Sequence, residues 1–538
     1  MTPLTWAVVA AGVATAYLVH RRQSSRTPNQ LPLPPGPKPL PLLGNILDFP
    51  PGDAPEFYHW LKHKDAYGPI SSVSAMGVTL VLLHGRQAAH DILAGAHAAK
   101  TSGRPHMVFA NDFVGFGRFV MPRGYDDIFR RGRKMLHQEV ASPAATASFE
   151  GTQTAEARRL LVRALNDPGN WDQHCKTAIV AIILTVGYGY TVEPTKQDPL
   201  TTVNENMINA FTVAATPMTW LPDIFPILSH LPRNLPLPFL KAARRLRHDV
   251  DTAVFTPYRF VREQMAKGTE RPSFVSNLIR RNLQDPEELD SMCPQDERDI
   301  IFTAVSLYAG GGDTVAISLT AFTMAMAIYP GVQRKAQAEL DTVTGGDRLP
   351  TFKDRPQLPY LNALVKELHR WWPVSTLGVP HLADEDIVYD GYRIPKGAYI
   401  IPGVWSFLHD PESYPNPEVF EPARFLPLRN EPDPIQDAFG YGRRACPGRM
   451  FAEANLFATI AHTLAVFDIR KALDDEGREI EIKPKYRQGV LGYAEPFDVR
   501  VTPRSERHAE LVRRFEKENP LESGDSVNLK MVSSWRSH

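Results

Sequence analysis

The sequence predicts a mainly α-helical protein with a minor β part, tethered by an N-terminal transmembrane helix. Three observations carry that expectation. Six long segments place apolar residues at helical spacing, two short stretches read as β-hairpins, and Leu4–Val19 is apolar and uncharged. Of 538 residues, 43% are hydrophobic and 22% charged, ordinary for a folded globular chain. Disordered, collagen-like and all-membrane classes are thereby excluded. Sixty basic residues balance sixty acidic ones, so no net field draws in nucleic acid. The three cysteines, Cys175, Cys293 and Cys446, lie far apart with no C-x-x-C pair. That spacing excludes a disulfide framework and a zinc finger.

Arg21, Arg22 and Arg26 follow the apolar run directly. As a helix over residues 3–20 the run spans about 27 Å at ~1.5 Å per residue, the hydrocarbon thickness of an endoplasmic-reticulum bilayer. Ala14-Thr15-Ala16 resembles a signal-peptide cleavage site, but a signal peptide carries its charge before the apolar run. The order here predicts a single-pass anchor in the endoplasmic-reticulum membrane with the body in the cytoplasm. Residues 27–45 follow, with seven prolines between 28 and 41, and predict a semi-rigid stalk of polyproline conformation.

No repeat or linker divides residues 46–504, which read as one large unit. Val73–Leu83 forms a hairpin turning at Met76-Gly77, and Asp386–Ile401 forms another turning at Asp390-Gly391. Helices are expected over Ala155–Leu165, Lys176–Val186, Leu240–Lys267, Arg298–Tyr329, Tyr360–Trp371 and Arg449–Leu464. Six prolines interrupt the apolar stretch 217–238, which suits a mobile lid or a membrane-touching loop. Residues 505–538 form a polar C-terminal tail, expected to be disordered.

The chemistry centres on Phe439–Met450, FGYGRRACPGRM. Gly440, Gly442 and Gly448 bracket Cys446, as a chain must where it turns with positive φ or lets a flat ligand approach. Pro447-Gly448 leads into a helical pattern, so Cys446 stands at a helix N-terminus, where the dipole favours a thiolate. Upstream, Asp313 is the only charge between Ile300 and Gln333. Three consecutive glycines, Gly310–Gly312, precede it in a helix where each costs roughly 0.5–1 kcal/mol. Such a cost implies a groove for small molecules, with Asp313 and Thr314 able to move protons into it.

Phe439, Gly442, Arg444, Cys446 and Gly448 match F-x-x-G-x-R-x-C-x-G, and the chain thereby resembles the cytochrome P450 family over roughly residues 32–503. The resemblance implies a large helical domain with a small β-rich region. It further implies haem b with Cys446 as axial thiolate and Arg444 at a haem propionate. Gly310–Thr314 resembles the family's [AG]-G-x-[DE]-T element, which marks Asp313 and Thr314 as the catalytic acid–alcohol pair. Glu367-x-x-Arg370 with Arg424 resembles its buried structural triad. Phe129–Arg133 resembles W-x-x-x-R with phenylalanine in place of tryptophan, so Arg133 alone carries over to a propionate; His381 is a second candidate there.

The function so implied is oxygen insertion from O2 into a lipophilic substrate. Because no flavin or ferredoxin segment occurs in the chain, electrons come from NADPH through a cytochrome P450 reductase docked around Arg443, Arg444 and Arg449. Leu33–Asn45 and Tyr308–Thr314 resemble fungal secondary-metabolism members. By family position the substrate pocket is walled by 108–120, 308–314, 373–379 and 489–491. Two rivals are a haem-thiolate isomerase or dehydratase, and a non-enzymatic membrane scaffold.

Overall fold

The computed structural model describes residues 31–534, apart from 42, 53, 76, 195 and 217–218. The anchor expected at 3–20 and the start of the stalk lie outside the described residues. The described residues gather into two compact units. One contains the residues up to Pro105, Thr376–Phe407 and Gly440–Ala445; the other contains His106–Ser375, Leu408–Phe439 and everything from Cys446 on. Each unit takes up the chain more than once, so no linker composition marks the division.

The smaller unit holds a four-stranded sheet. β1 (Ile70–Ala75) and β2 (Val78–Leu83) make the expected hairpin, with Gly77 at φ 84. The second hairpin is shorter than its sequence suggests. β4 (Ile387–Tyr389) and β5 (Tyr392–Ile394) close through Asp390 and Gly391, both at positive φ, the type I′ geometry that suits a right-twisted hairpin. Beyond it, β6 (Tyr399–Pro402) leaves the hairpin and pairs parallel to β2, with β3 (His381–Leu382) on its far edge. Trp60, Val73, Leu82 and Ile401 pack together as the core.

The proline-rich stretch is no free stalk where it is described. Pro34 is buried, and the carbonyls of Pro34 and Pro35 accept from Ser72 Oγ and Ser72 N at 2.6 and 2.8 Å. A Cβ on Gly36 would stand 1.9 Å from Ser72 O. Prolines lack N–H donors, but their carbonyls remain acceptors for an edge strand.

The larger unit is helical: α1 (Asp127–Leu136), α2 (Glu150–Asn166), α3 (Trp171–Tyr188), α4 (Pro199–Ala214), α5 (Pro238–Lys267), α6 (Pro294–Ile328), α7 (Pro359–Trp371) and α8 (Arg449–Val466). A two-stranded sheet, β7 (Phe467–Lys471) with β8 (Val499–Pro503), completes it. α6 is 35 residues long and is the one helix among the described residues long and apolar enough to cross a membrane. It is instead largely buried in protein, packed on α1, α3, α4 and α5. Arg131 of α1 pairs with the buried Asp299 of α6, and a Cβ on Gly132 would stand 3.1 Å from Thr303 Oγ1.

Two further expectations change here. The tail is folded over residues 505–534: α9 (Glu506–Glu518) buries Ala509 and Val512, one helical turn apart. Asp525 pairs with Arg271 and accepts the Thr191 N–H, and Val532 exchanges hydrogen bonds with Thr256. Its polar composition concealed a narrow apolar stripe. The described part of the 217–238 stretch, residues 219–238, contacts Phe109 of the helical unit at two points. Trp220 stacks on Phe109 at 3.8 Å and 9°, and Asp223 accepts the Phe109 N–H at 2.9 Å. Leu221, Phe225 and Ile227 remain exposed, at 52, 51 and 73%.

Candidate functional site

In the cysteine loop the Cys446 N–H donates to Phe439 O at 2.7 Å, closing the segment on itself. Gly440 and Gly442 hold φ of 76 and 51°, and a Cβ on Gly442 would collide with Leu93 O at 2.4 Å. Glycine is required at both. Gly448 has ordinary φ and caps α8, so Cys446 precedes the helix by two residues. The Cys446 thiol retains accessible surface, yet burial pushes its pKa up, against the Gly448 N–H, Arg133 and Arg449. The Gly448 N–H and the two arginines act in the direction expected at a helix start, and burial acts against them. A bound metal cation would deprotonate it outright. Phe439 meets the buried His369 edge-on at 4.9 Å.

α6 is buried along both flanks and opens in its middle. Gly310 is exposed, and a Cβ there would meet nothing within 4 Å. The glycine run is not all groove, however. A Cβ on Gly311 would strike Ile183 Cδ1 at 2.4 Å and one on Gly312 would meet Asn204 Nδ2 at 2.9 Å. Two glycines let α3 and α4 approach; one leaves space. Thr314 Oγ1 donates to Gly310 O at 2.7 Å, so its hydrogen is engaged and its lone pairs face outward as acceptors. Burial raises Asp313 to about 6, with Lys176 opposing and Glu205 adding. The Tyr493 hydroxyl donates to Asp313 Oδ2.

The smaller unit carries a buried cationic cluster. Arg444 Nε donates to Ser102 O at 2.6 Å. Arg104 Nη1 donates to the carbonyls of Val379 and Pro380 at 2.9 and 2.8 Å. Arg104 Nε finds no partner among the described residues, and burial together with Arg444 lowers its pKa to about 9. His381 Nδ1 lies 2.7 Å from Thr101 O, and burial, Arg104 and Arg444 hold it neutral, down to about 3. Asp384 feels Arg444 but is exposed and accepts the Gly103 N–H. The buried Arg104 guanidinium, with its Nε unpartnered among the described residues, suits an anionic ligand. Sequence reasoning missed Arg104; its signal was only an arginine between Gly103 and Pro105, which a loop explains as well.

Glu367, Arg370 and Arg424 converge and are fully buried. Arg370 grips Glu367 with two hydrogen bonds of 2.7 and 2.8 Å, Arg424 Nε adds one of 3.2 Å, and the Glu421 N–H a fourth of 2.7 Å. Arg370 also reaches Leu408 O and Arg424 reaches Asn416 O. The set ties α7 to the chain that leads toward the cysteine loop.

Cys446, Phe439, Gly448, Arg133, Asp313, Thr314 and the triad thus belong to the helical unit, and Arg444, Gly442 and His381 to the smaller one with Arg104. A cysteine presented from a glycine loop, with an opened helix in the same unit, is the arrangement that the resemblance to haem-thiolate proteins implies. The family model for cytochrome P450 matches residues 34–499, and the chain belongs to the cytochrome P450 family. It is similar to the cytochrome P450 monooxygenase CLM2 of Gibberella zeae, 44% identical over 93% of this chain and 94% of that one. The multifunctional cytochrome P450 monooxygenase af510 of Aspergillus fumigatus is 42% identical over 98% of each chain. An O-methylsterigmatocystin oxidoreductase of Aspergillus flavus is 34% identical over 97% of each. The chain is therefore an enzyme of the P450 monooxygenase class, whose cofactor is haem with a cysteine ligand.

Removing one partner from a buried ion pair strands the other charges and typically costs about 3–5 kcal/mol. Glu367→Ala is therefore expected to lower unfolding free energy by that amount in chemical denaturation. A loss below about 1 kcal/mol, the ordinary value of an exposed pair, would contradict the geometry.

Proposed function

We propose that this protein inserts one atom of O2 into a lipophilic substrate, in fungal secondary-metabolite chemistry, using NADPH electrons delivered by a cytochrome P450 reductase. The observation that carries this reading is the opening of α6 at Gly310 beside Asp313 and Thr314, in the unit that presents Cys446. Haem b bound through Cys446 supplies the activation of dioxygen.

The chain's residues supply the rest. Thr314, its hydrogen already given to Gly310 O, accepts a hydrogen bond from a water at the opening and fixes its position. Asp313, raised to about 6 by burial, is poised to take and give a proton near neutrality. Arg444 and Arg104, in the smaller unit, would hold a haem propionate, and Arg133 is the helical unit's own candidate for that role. His381 spends its one neutral-form N–H on Thr101, so it joins them only after gaining a second proton. Phe109, Phe113, Trp220 and Phe239, mutually packed, support an apolar substrate. A rearranging isomerase needs no proton relay, which favours oxygenation.

Arg444 is removed from the expected reductase face by its burial; Arg443 and Arg449 remain exposed. The anchor expected at 3–20 and the exposed Leu221, Phe225 and Ile227 support attachment to the endoplasmic-reticulum membrane.

Thr314→Ala removes the water's acceptor while leaving Cys446 untouched. General acid–base help of this kind is worth ~10²–10⁴-fold. With reductase and substrate, NADPH consumption should stay near wild type while product falls and hydrogen peroxide rises. Thr314→Ser should restore coupling. Tight coupling in the alanine variant would return Thr314 to packing and revive the isomerase alternative. Arg104→Met removes a buried charge-assisted donor, worth about 1.5–3 kcal/mol, so haem retained through gel filtration should drop. Wild-type haem content would exclude Arg104 from propionate binding.

A further inference from the structure

We propose that Tyr493 is a positioning residue that holds the Asp313 carboxylate in place and governs when it takes up and releases a proton. The inference deepens the oxygenase reading above and rests on it for the role of Asp313. Tyr493 donates its hydroxyl to Asp313 Oδ2 across 180 residues of chain. Its loop is rigid. Tyr486 and Ala494 form a β-bridge, and Arg487 N donates to Tyr493 O at 2.7 Å. The loop is fastened to the segment after α7: Trp372 Nε1 donates to Gly492 O and Gly492 N to Val374 O, each at 2.7 Å. Trp372 also stacks on Tyr486 at 3.8 Å and 8°, and a Cβ on Gly492 would stand 2.8 Å from Pro373 O.

A fixed phenol against the sole charge of the middle of α6 does two things. It anchors one carboxylate oxygen, which leaves Oδ1 for water. It also favours the ionised form, because a donor to a carboxylate stabilises the charge. Burial and Glu205 of α4 act the other way, while Lys176 of α3 acts with Tyr493. Proton affinity at Asp313 is thus set by these opposing groups, of which Tyr493 alone touches the carboxylate among them.

The test uses the purified full-length protein and infrared difference spectroscopy. The Asp313 carboxyl band is assigned by its loss in Asp313→Asn and followed with pH. In Tyr493→Phe the proton should bind about tenfold more tightly, moving the midpoint up about one pH unit. Product formed per NADPH should shift along the pH axis in the same direction. On the Asp313→Asn background Tyr493→Phe should shift neither. A midpoint unchanged from wild type overturns the proposal. Should Tyr493→Phe not fold, wild type alone decides: a tyrosine C–O band must shift at the Asp313 midpoint and stay still in Asp313→Asn, and a band that never shifts overturns the proposal. The infrared titration needs no turnover. Wild-type protein that binds no haem would end the oxygenase reading while the midpoint shift still decides the Tyr493–Asp313 link.

Discussion

Burying charge in protein is costly unless a partner is buried with it, and the way this chain meets that constraint organises both of its units. In the helical unit the solution is internal. Glu367 neutralises Arg370 against Arg424, which Glu431 also serves, and backbone carbonyls take most of the remaining donors. In the smaller unit Arg104 and Arg444 are buried and donate to backbone carbonyls, with His381 neutral beside them, and Arg104 Nε has no partner among the described residues. The anionic group proposed for this cluster would complete that arrangement. The same logic governs Cys446. Burial raises its thiol while the Gly448 N–H, Arg133 and Arg449 lower it, and a bound metal cation would favour the thiolate further.

α6 makes the opposite compromise. A helix of 35 residues, largely buried, gives up side chains at three successive positions and carries a single acid, Asp313, in its middle. Gly311 and Gly312 serve packing against α3 and α4, whereas Gly310 serves space. Asp313 and Thr314 sit where the helix opens, and each is already engaged, Thr314 with Gly310 O and Asp313 with Tyr493. Groups held in this way lose little orientation freedom when a water or substrate arrives.

What the sequence revealed follows from how local each signal is. The helices stood out because their periodicity needs only neighbours; α8, expected over Arg449–Leu464, runs Arg449–Val466. Asp390-Gly391 dictated its turn outright. The division into two units escaped because the smaller one is assembled from three separated segments. α9 escaped because its buried stripe is only Ala509 and Val512 amid charges. At the site, Cys446 was legible from its glycine frame. Arg104 and Tyr493 were not, because their meaning lies in partners far along the chain, Val379 and Pro380 for one and Asp313 for the other.

The proposed function rests on Cys446 as the residue whose thiolate would hold the haem. Its most direct measurement is the absorption spectrum of the reduced, carbon-monoxide-bound protein, read for wild type and Cys446→Ala side by side. Thiolate ligation predicts the strongly red-shifted Soret band in wild type and its loss in the variant. A wild-type Soret band at the position of nitrogen-ligated haem, or a red-shifted band that survives in Cys446→Ala, would contradict the account.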